Sequence, residues 1–221
     1  MQNVERTNEC LLELSNFTLT YLGAEQPVFP PLSFRLNPGE ALRLRGDSGA
    51  GKSSLLLSAC GLIPHQIPAG LAGELLLFGR SPGDYTHAER AQLVGMVFQN
   101  PEAQLFCGTA ELEVAFGLEN LCIPQDEMRE RVREALETVG LWERRAEPPS
   151  QLSGGQKQLL ALAAVLALRP RLLLLDEALS QLDAAARRRM LEVLHKLRGD
   201  GQTMLFVDHH DTTLATREIQ L

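Results

Sequence analysis

Several absences narrow the function class before any motif is read. The four cysteines, Cys10, Cys60, Cys107 and Cys122, form no CxxC pair and no metal-ligand spacing. That excludes a disulfide scaffold or a zinc module and predicts reduced thiols. There is no basic excess: the net charge is −7 and the pI near 5.3. Phosphate backbones and anionic lipid surfaces are held by clustered Lys and Arg, so a general nucleic-acid surface is disfavoured. Residues 1–9 are polar and lack the apolar core of a signal peptide. The longest apolar run, residues 159–168, falls far short of the ~20 residues that span a bilayer. Any membrane role must therefore come through a partner. Repeats and low-complexity tracts are also missing.

What is present is ordinary globular composition: 221 residues, 44% hydrophobic and 22% charged, enough for one domain with a smaller lobe. Residues 11–21 alternate apolar and polar side chains as a strand does. Residues 32–36 and 41–45 read as further strands, split by the turn Asn37-Pro38-Gly39, and residues 52–60 as a helix. Residues 63–73 hold two prolines and two glycines and read as a loop before a short strand at 74–78. Residues 126–139 are an amphipathic helix closed by Gly140; residues 155–168 are apolar nearly all round, as a buried helix is. Residues 172–175 suit a central parallel strand. A helix at 184–197 and strands at 203–207 and 218–221 follow. Strands alternating with helices predict an α/β fold on a parallel sheet. Residues 100–152, where helical pattern dominates, read as an insert.

Three motifs carry chemistry. Gly46-Asp47-Ser48-Gly49-Ala50-Gly51-Lys52-Ser53 matches GxxxxGK[ST] between a strand and a helix. Its glycines let backbone N–H groups converge on phosphate, with the helix dipole adding favourable charge. Lys52 is expected at the β- and γ-phosphates and the Ser53 hydroxyl on Mg²⁺. Asp176-Glu177 leaves the end of the buried strand beside that loop, where Asp176 would hold Mg²⁺ and Glu177 would polarise the attacking water. Leu152-Ser153-Gly154-Gly155-Gln156 opens the buried helix, with Ser153 as its cap and two glycines baring N–H groups.

LSGGQ, with GDSGAGKSS before it and LLLLDE after it, resembles the nucleotide-binding subunit of an ABC transporter over residues 11–221. The resemblance implies a P-loop NTPase, RecA-like core with a small antiparallel β-subdomain (about 10–99 and 153–221) and a helical subdomain (about 100–152). It implies a head-to-tail dimer, homomeric or heteromeric, with ATP between one P-loop, including Ser54, and the other subunit's Ser153, Gly154, Gly155 and Gln156. Gln99 matches the Q-loop glutamine that links Mg²⁺ and water to the membrane partner. Ser180-Gln181-Leu182-Asp183 matches the D-loop crossing the dimer interface. His209, with His210 adjacent, matches the switch histidine at the γ-phosphate. Tyr21 matches the aromatic that stacks on adenine, with simple packing as its alternative.

Residues 97–106, 113–120 and Gly61-Leu62-Ile63-Pro64-His65 resemble more narrowly the ATPases of energy-coupling-factor importers of vitamins and transition-metal ions. Those pair two ATPases with a transmembrane coupling protein and a small substrate-binding membrane subunit. The resemblance thus implies a cytoplasmic motor, peripheral on the inner face of the membrane, with no nucleic-acid partner. The alternatives are a soluble ABC ATPase acting on nucleic acid or ribosomes, and a regulatory subunit that binds ATP with little hydrolysis.

Departures from the family are Ala178-Leu179 before the D-loop, Arg43 and Arg45 in the strand before the P-loop, and an end at Leu221 where relatives run on. The last leaves a minimal subunit and a truncated one both open. A buried unpaired guanidinium would be costly, so each arginine must find a partner or the surface. Arg187-Arg188-Arg189 reads as a solvated helix face. Glu102, Glu111, Glu113 and Glu119 read either as surface or as an acidic docking patch for the membrane partner.

Overall fold

The computed structural model describes residues 10–208 and 213–221. In chain order the strands are β1 (Leu12–Tyr21), β2 (Leu32–Leu36), β3 (Ala41–Arg45), β4 (Ala69–Leu77), β5 (Val94–Val97), β6 (Leu172–Asp176), β7 (Thr203–Val207) and β8 (Arg217–Gln220). The helices are α1 (Lys52–Ala59), α2 (His87–Leu93), α3 (Ala110–Asn120), α4 (Gln125–Val139), α5 (Gly154–Ala167) and α6 (Ala184–Gly199). A parallel sheet runs β5-β6-β7-β3-β8 and an antiparallel one β2-β1-β4.

The parallel sheet is buried on both faces, which is why β6 and β7 are apolar at nearly every position. Because side chains alternate across a strand, Leu172 and Leu174 join the core with α1 and β1, while Leu173 and Leu175 join the core with α3, α4 and α5. Burying each such leucine is worth about 1.5–3 kcal/mol. Helices α3, α4 and α5 pack on one another, so the helical part shares its core with the sheet.

Two elements depart from expectation. Strand β4 starts at Ala69, inside the segment read as loop. Its glycines are there for a reason that pattern cannot show: β1 bulges at Asn16, and a Cβ on Gly73 would stand 2.1 Å from the Asn16 carbonyl oxygen. Helix α2 gave no periodic signal because it buries no residue, though its capping box, Thr86 with Glu89, is legible in the sequence. No described helix is long and apolar enough to cross a membrane. The four cysteines are free, and burial pushes the Cys60 thiol up to about 11.

Candidate nucleotide site

Strand β3, between β7 and β8 in the parallel sheet, hands the chain to the loop of residues 46–51, which opens α1 without a side-chain cap. The first-turn N–H groups of α1 have no partner within the helix and are available to an anion. Gly51 must be glycine twice over. Its φ is +88°, and a Cβ there would lie 2.5 Å from Val28 Cγ1 and 2.7 Å from Phe29 Cδ1. Asp47, Ser48 and Gly49 form the exposed rim of the loop. Lys52 is buried beneath it, its Nζ donating to the carbonyls of Gly46 and Asp47, both at 2.8 Å.

Ser53 Oγ donates to Asp176 Oδ1 at 2.9 Å, joining the start of α1 to the end of β6. Burial pushes the Asp176 carboxyl above its ordinary range; the Ser53 hydrogen bond opposes this, Glu177 adds to it, and Lys52 opposes it. A hydroxyl and a carboxylate are hard oxygen donors of the kind Mg²⁺ takes. Among the described residues no three His, Cys, Asp or Glu side chains gather to hold a metal by themselves. This pair therefore fits a Mg²⁺ whose remaining ligands come from phosphate and water. At the next residue of α1, Ser54 Oγ and the Tyr21 hydroxyl are 2.8 Å apart.

Glu177 adopts a positive φ of 48° and donates its N–H to Val207 O at 3.1 Å, which turns it out of the sheet. Gln99 Nε2 donates to Glu177 Oε2 at 3.0 Å. The backbone that carries Gln99 is pinned by two residues that sequence reasoning missed. Gln104 accepts from Phe98 N at 2.9 Å and donates to Met96 O at 3.0 Å, and Gln158 donates to Phe98 O at 2.8 Å. Only Gln158 could have been suspected, as a polar residue on the buried helix. The structure thus brings Lys52, Ser53, Asp176, Glu177 and Gln99 around one loop.

LSGGQ sits at the start of α5. Ser153 Oγ accepts from Gln156 N at 3.3 Å, and Gln156 Oε1 accepts from Ser153 N at 2.9 Å and from Arg144 at 2.5 Å. The two glycines differ. Gly154 is exposed, and a Cβ there would meet nothing within 4 Å, whereas one on Gly155 would lie 2.3 Å from Ala186 Cβ. Gly154 lines a cavity of about 380 Å³ with Gln99, Lys157, Gln181 and Leu182. Among the described residues no hydrogen bond joins Ser153 to the P-loop; its side-chain partner is Gln156. Asp183 caps α6, accepting from the N–H groups of Ala185 and Ala186, both at 2.9 Å. His209 and His210 lie outside the described residues.

Three charge readings change. Glu113 is buried, not surface, and accepts from the N–H groups of Phe106 at 2.8 Å and Cys107 at 2.7 Å. Glu102, which precedes α3, stays exposed but has its charge paired with Lys157 at 2.5 Å, so that, of the four, Glu111 and Glu119 are the exposed carboxylates on α3. Arg187 is half-buried and paired with Asp208 at 3.2 Å, since α6 turns that side of its arginine run inward. Arg43 and Arg45 find their partner in one residue, Glu218, at 3.0 and 3.2 Å.

Fold and site together define an ATP-binding cassette, and comparison with known proteins agrees. The family model described as ABC transporter matches residues 29–180. The chain is 39% identical over 202 residues to a provisionally named ABC transporter ATP-binding protein of Pyrococcus abyssi, covering 91% of this chain and 72% of that one. It is 40% identical over 201 residues to the provisionally named HMP/thiamine import ATP-binding protein YkoD of Bacillus subtilis, covering 90% of this chain but 37% of that one. In structure it resembles cbiO1 of Clostridium perfringens, described as part of the ABC transporter complex cbiONQ, with TM-score 0.79 and 27% identity over 92% of this chain and 79% of that one. It also resembles the dimeric, ADP- and phosphate-bound cassette MJ0796, with TM-score 0.78 and 29% identity over 95% and 94% of the two chains. The chain belongs to the ABC transporter family. It is an ATP-binding ABC ATPase, a motor subunit of transport.

Proposed function

We propose that this chain drives import by a transporter of the energy-coupling-factor type, hydrolysing ATP as a head-to-tail dimer beneath a transmembrane coupling protein and a small substrate-binding membrane subunit. A vitamin or a transition-metal ion is the cargo class. Likeness to cbiO1 and to YkoD supports the importer reading. The observation that carries the hydrolytic part is the contact of Gln99 with Glu177 beside the Ser53–Asp176 pair.

In this reading the P-loop residues 46–54 hold the phosphates. Lys52 leaves the two loop carbonyls for the β- and γ-phosphates, so its positive charge is already in place when nucleotide arrives. Ser53, Asp176 and Gln99 would hold Mg²⁺, which supplies charge neutralisation on the phosphates when bound. Glu177 accepts a proton from the attacking water, which Gln99 helps to orient. Ser153, Gly154, Gly155 and Gln156 of the partner subunit close over the γ-phosphate, with His209 contacting it from the switch position. Asp183 stands at the dimer interface. Tyr21 stacks on adenine, its hydroxyl steered by Ser54. The site lies on the cytoplasmic face of the membrane.

The docking face is apolar more than acidic. Phe106, before α3, and Leu112 and Phe116, on it, are exposed, the two phenylalanine rings meeting edge-on at 4.8 Å, with Glu111 and Glu119 also on α3. Exposed aromatic clusters of this kind mark protein contacts. Glu113 ties Phe106 to α3, and Gln104 ties the same segment to Phe98, next to Gln99. A partner seated on Phe106 would therefore act on the catalytic glutamine. The test is affinity capture of membrane proteins from the native host, with identification of what is bound. A coupling protein and a small membrane subunit are expected, and the Phe106→Ser, Phe116→Ser double variant should capture about ten-fold less. Capture of ribosomes, or of no membrane protein, would sink the importer reading.

A further inference from the structure

Arg43 occupies a position on β3 that pairs with Phe206 on one side and Glu218 on the other, on the sheet face that carries the apolar core of Met204 and Phe206. It is 3% exposed. Its Nε donates to the carbonyl of Asp208 at 2.8 Å and its Nη1 to Glu218 Oε1 at 3.0 Å. Arg187 approaches Asp208 from α6. Its Nη2 donates to Asp208 Oδ2 at 3.2 Å, and its Nη1 to the carbonyl of Leu179, also at 3.2 Å. Asp208 itself is buried. It is followed in the chain by His209, and the residue before it, Val207, accepts the N–H of Glu177 at 3.1 Å.

The ladders of β7 to β3 and to β6 both end at Val207, so beyond it the chain leaves the sheet. A guanidinium donor at the Asp208 carbonyl fixes where it leaves. Burying an arginine on this face costs desolvation that a leucine there would not.

We propose that Arg43 and Arg187 are positioning residues for hydrolysis. Together they clamp Asp208 between the P-loop strand and the Ala178–Leu179 segment, and so hold the Val207–Glu177 contact. The proposal rests on the hydrolytic reading above. A positional clamp acts on turnover without touching nucleotide, because among the described residues its hydrogen bonds run to Asp208, Glu218 and Leu179 and not to Lys52, Ser53 or Asp176.

The test uses the full chain with Arg43→Met, Arg187→Met, Arg187→Lys and Asp208→Asn. Both Met variants should keep ATP affinity within about two-fold and lose about ten-fold or more in kcat, with KM little changed. Arg187→Lys should recover part of that loss, because one ammonium can reach Asp208 but not Leu179 as well. Arg187→Met combined with Asp208→Asn should be no slower than the worse single variant. Folded variants with full kcat would overturn the proposal, as would a lowered melting temperature with kcat and KM both unchanged. Where Arg43→Met does not fold, the half-buried Arg187 series decides. Amide hydrogen exchange over residues 177–183 gives a readout independent of turnover. Exchange about ten-fold faster in Arg187→Met sustains the clamp, and unaltered exchange overturns it. A wild-type chain without turnover would sink the hydrolytic reading, while the clamp is still judged by that exchange.

Discussion

Gln99 reaches across 78 residues of sequence to place its amide nitrogen 3.0 Å from a carboxylate oxygen of Glu177. The donor aims the carboxylate, and the donor is itself held by a loop tied to the exposed Phe106. A displacement of that loop would alter this contact.

Glu177→Gln keeps the side chain's length and removes its proton acceptor. ATP affinity should stay within about two-fold while phosphate release falls by roughly 10²–10⁴-fold, the usual contribution of a positioned general base. Equilibrium nucleotide binding and phosphate release measure the two separately. Near-normal release would remove the general-base role.

The glycines of LSGGQ should separate on substitution. Gly155→Ala drives a methyl into Ala186 and should cost about 1–3 kcal/mol in urea unfolding. Gly154→Ala meets no neighbour within 4 Å and should leave the fold intact. In mixed dimers, Ser153→Arg in one subunit should stop hydrolysis at the P-loop of the other. A defect confined to the mutant's own P-loop would contradict the head-to-tail arrangement.

Asp176 should make stability depend on pH. Burial holds its carboxyl above the ordinary range. Between the ordinary value and the raised one, the folded chain keeps a proton that the unfolded chain has lost. Stability therefore falls as pH rises through that window, and the deficit persists at neutral pH. The nucleotide-free Asp176→Asn chain should melt at a higher temperature than wild type at pH 7, with a gain that shrinks below the ordinary carboxylate range. Its ATPase rate should fall about 10²-fold or more. Equal melting temperatures at pH 7 would show that burial does not strain this group.

Glu113 and its neighbours on α3 should differ in kind. Glu113→Ala leaves two backbone N–H groups without their charged acceptor and should cost about 2–3 kcal/mol. Glu111→Ala and Glu119→Ala, on the exposed face, should stay within about 0.5 kcal/mol. Denaturant titration of the three variants checks both, and a cheap Glu113→Ala would return it to the surface.

Local rules carried much of this protein. The P-loop, the caps at Ser153 and Gly140 and the apolar run before Asp176 are written in consecutive residues, because turn geometry, capping and burial on both faces are short-range demands. The family likeness also rests on such short runs. What depended on contacts between distant segments was not legible. Gly73 is glycine because β1 bulges some 57 residues earlier at Asn16, and Gly155 because α6 passes over it. Glu113 and Arg187 looked like surface charge because each lies among other charged residues, and only the packing of α3 and α6 decides which charge turns inward. A guanidinium in the P-loop strand looked like an anomaly until the fold set Asp208 and Glu218 beside it. Nearest-neighbour chemistry follows from the order of residues, but a partner more than a hundred positions away is chosen by the sheet order, which no local pattern encodes.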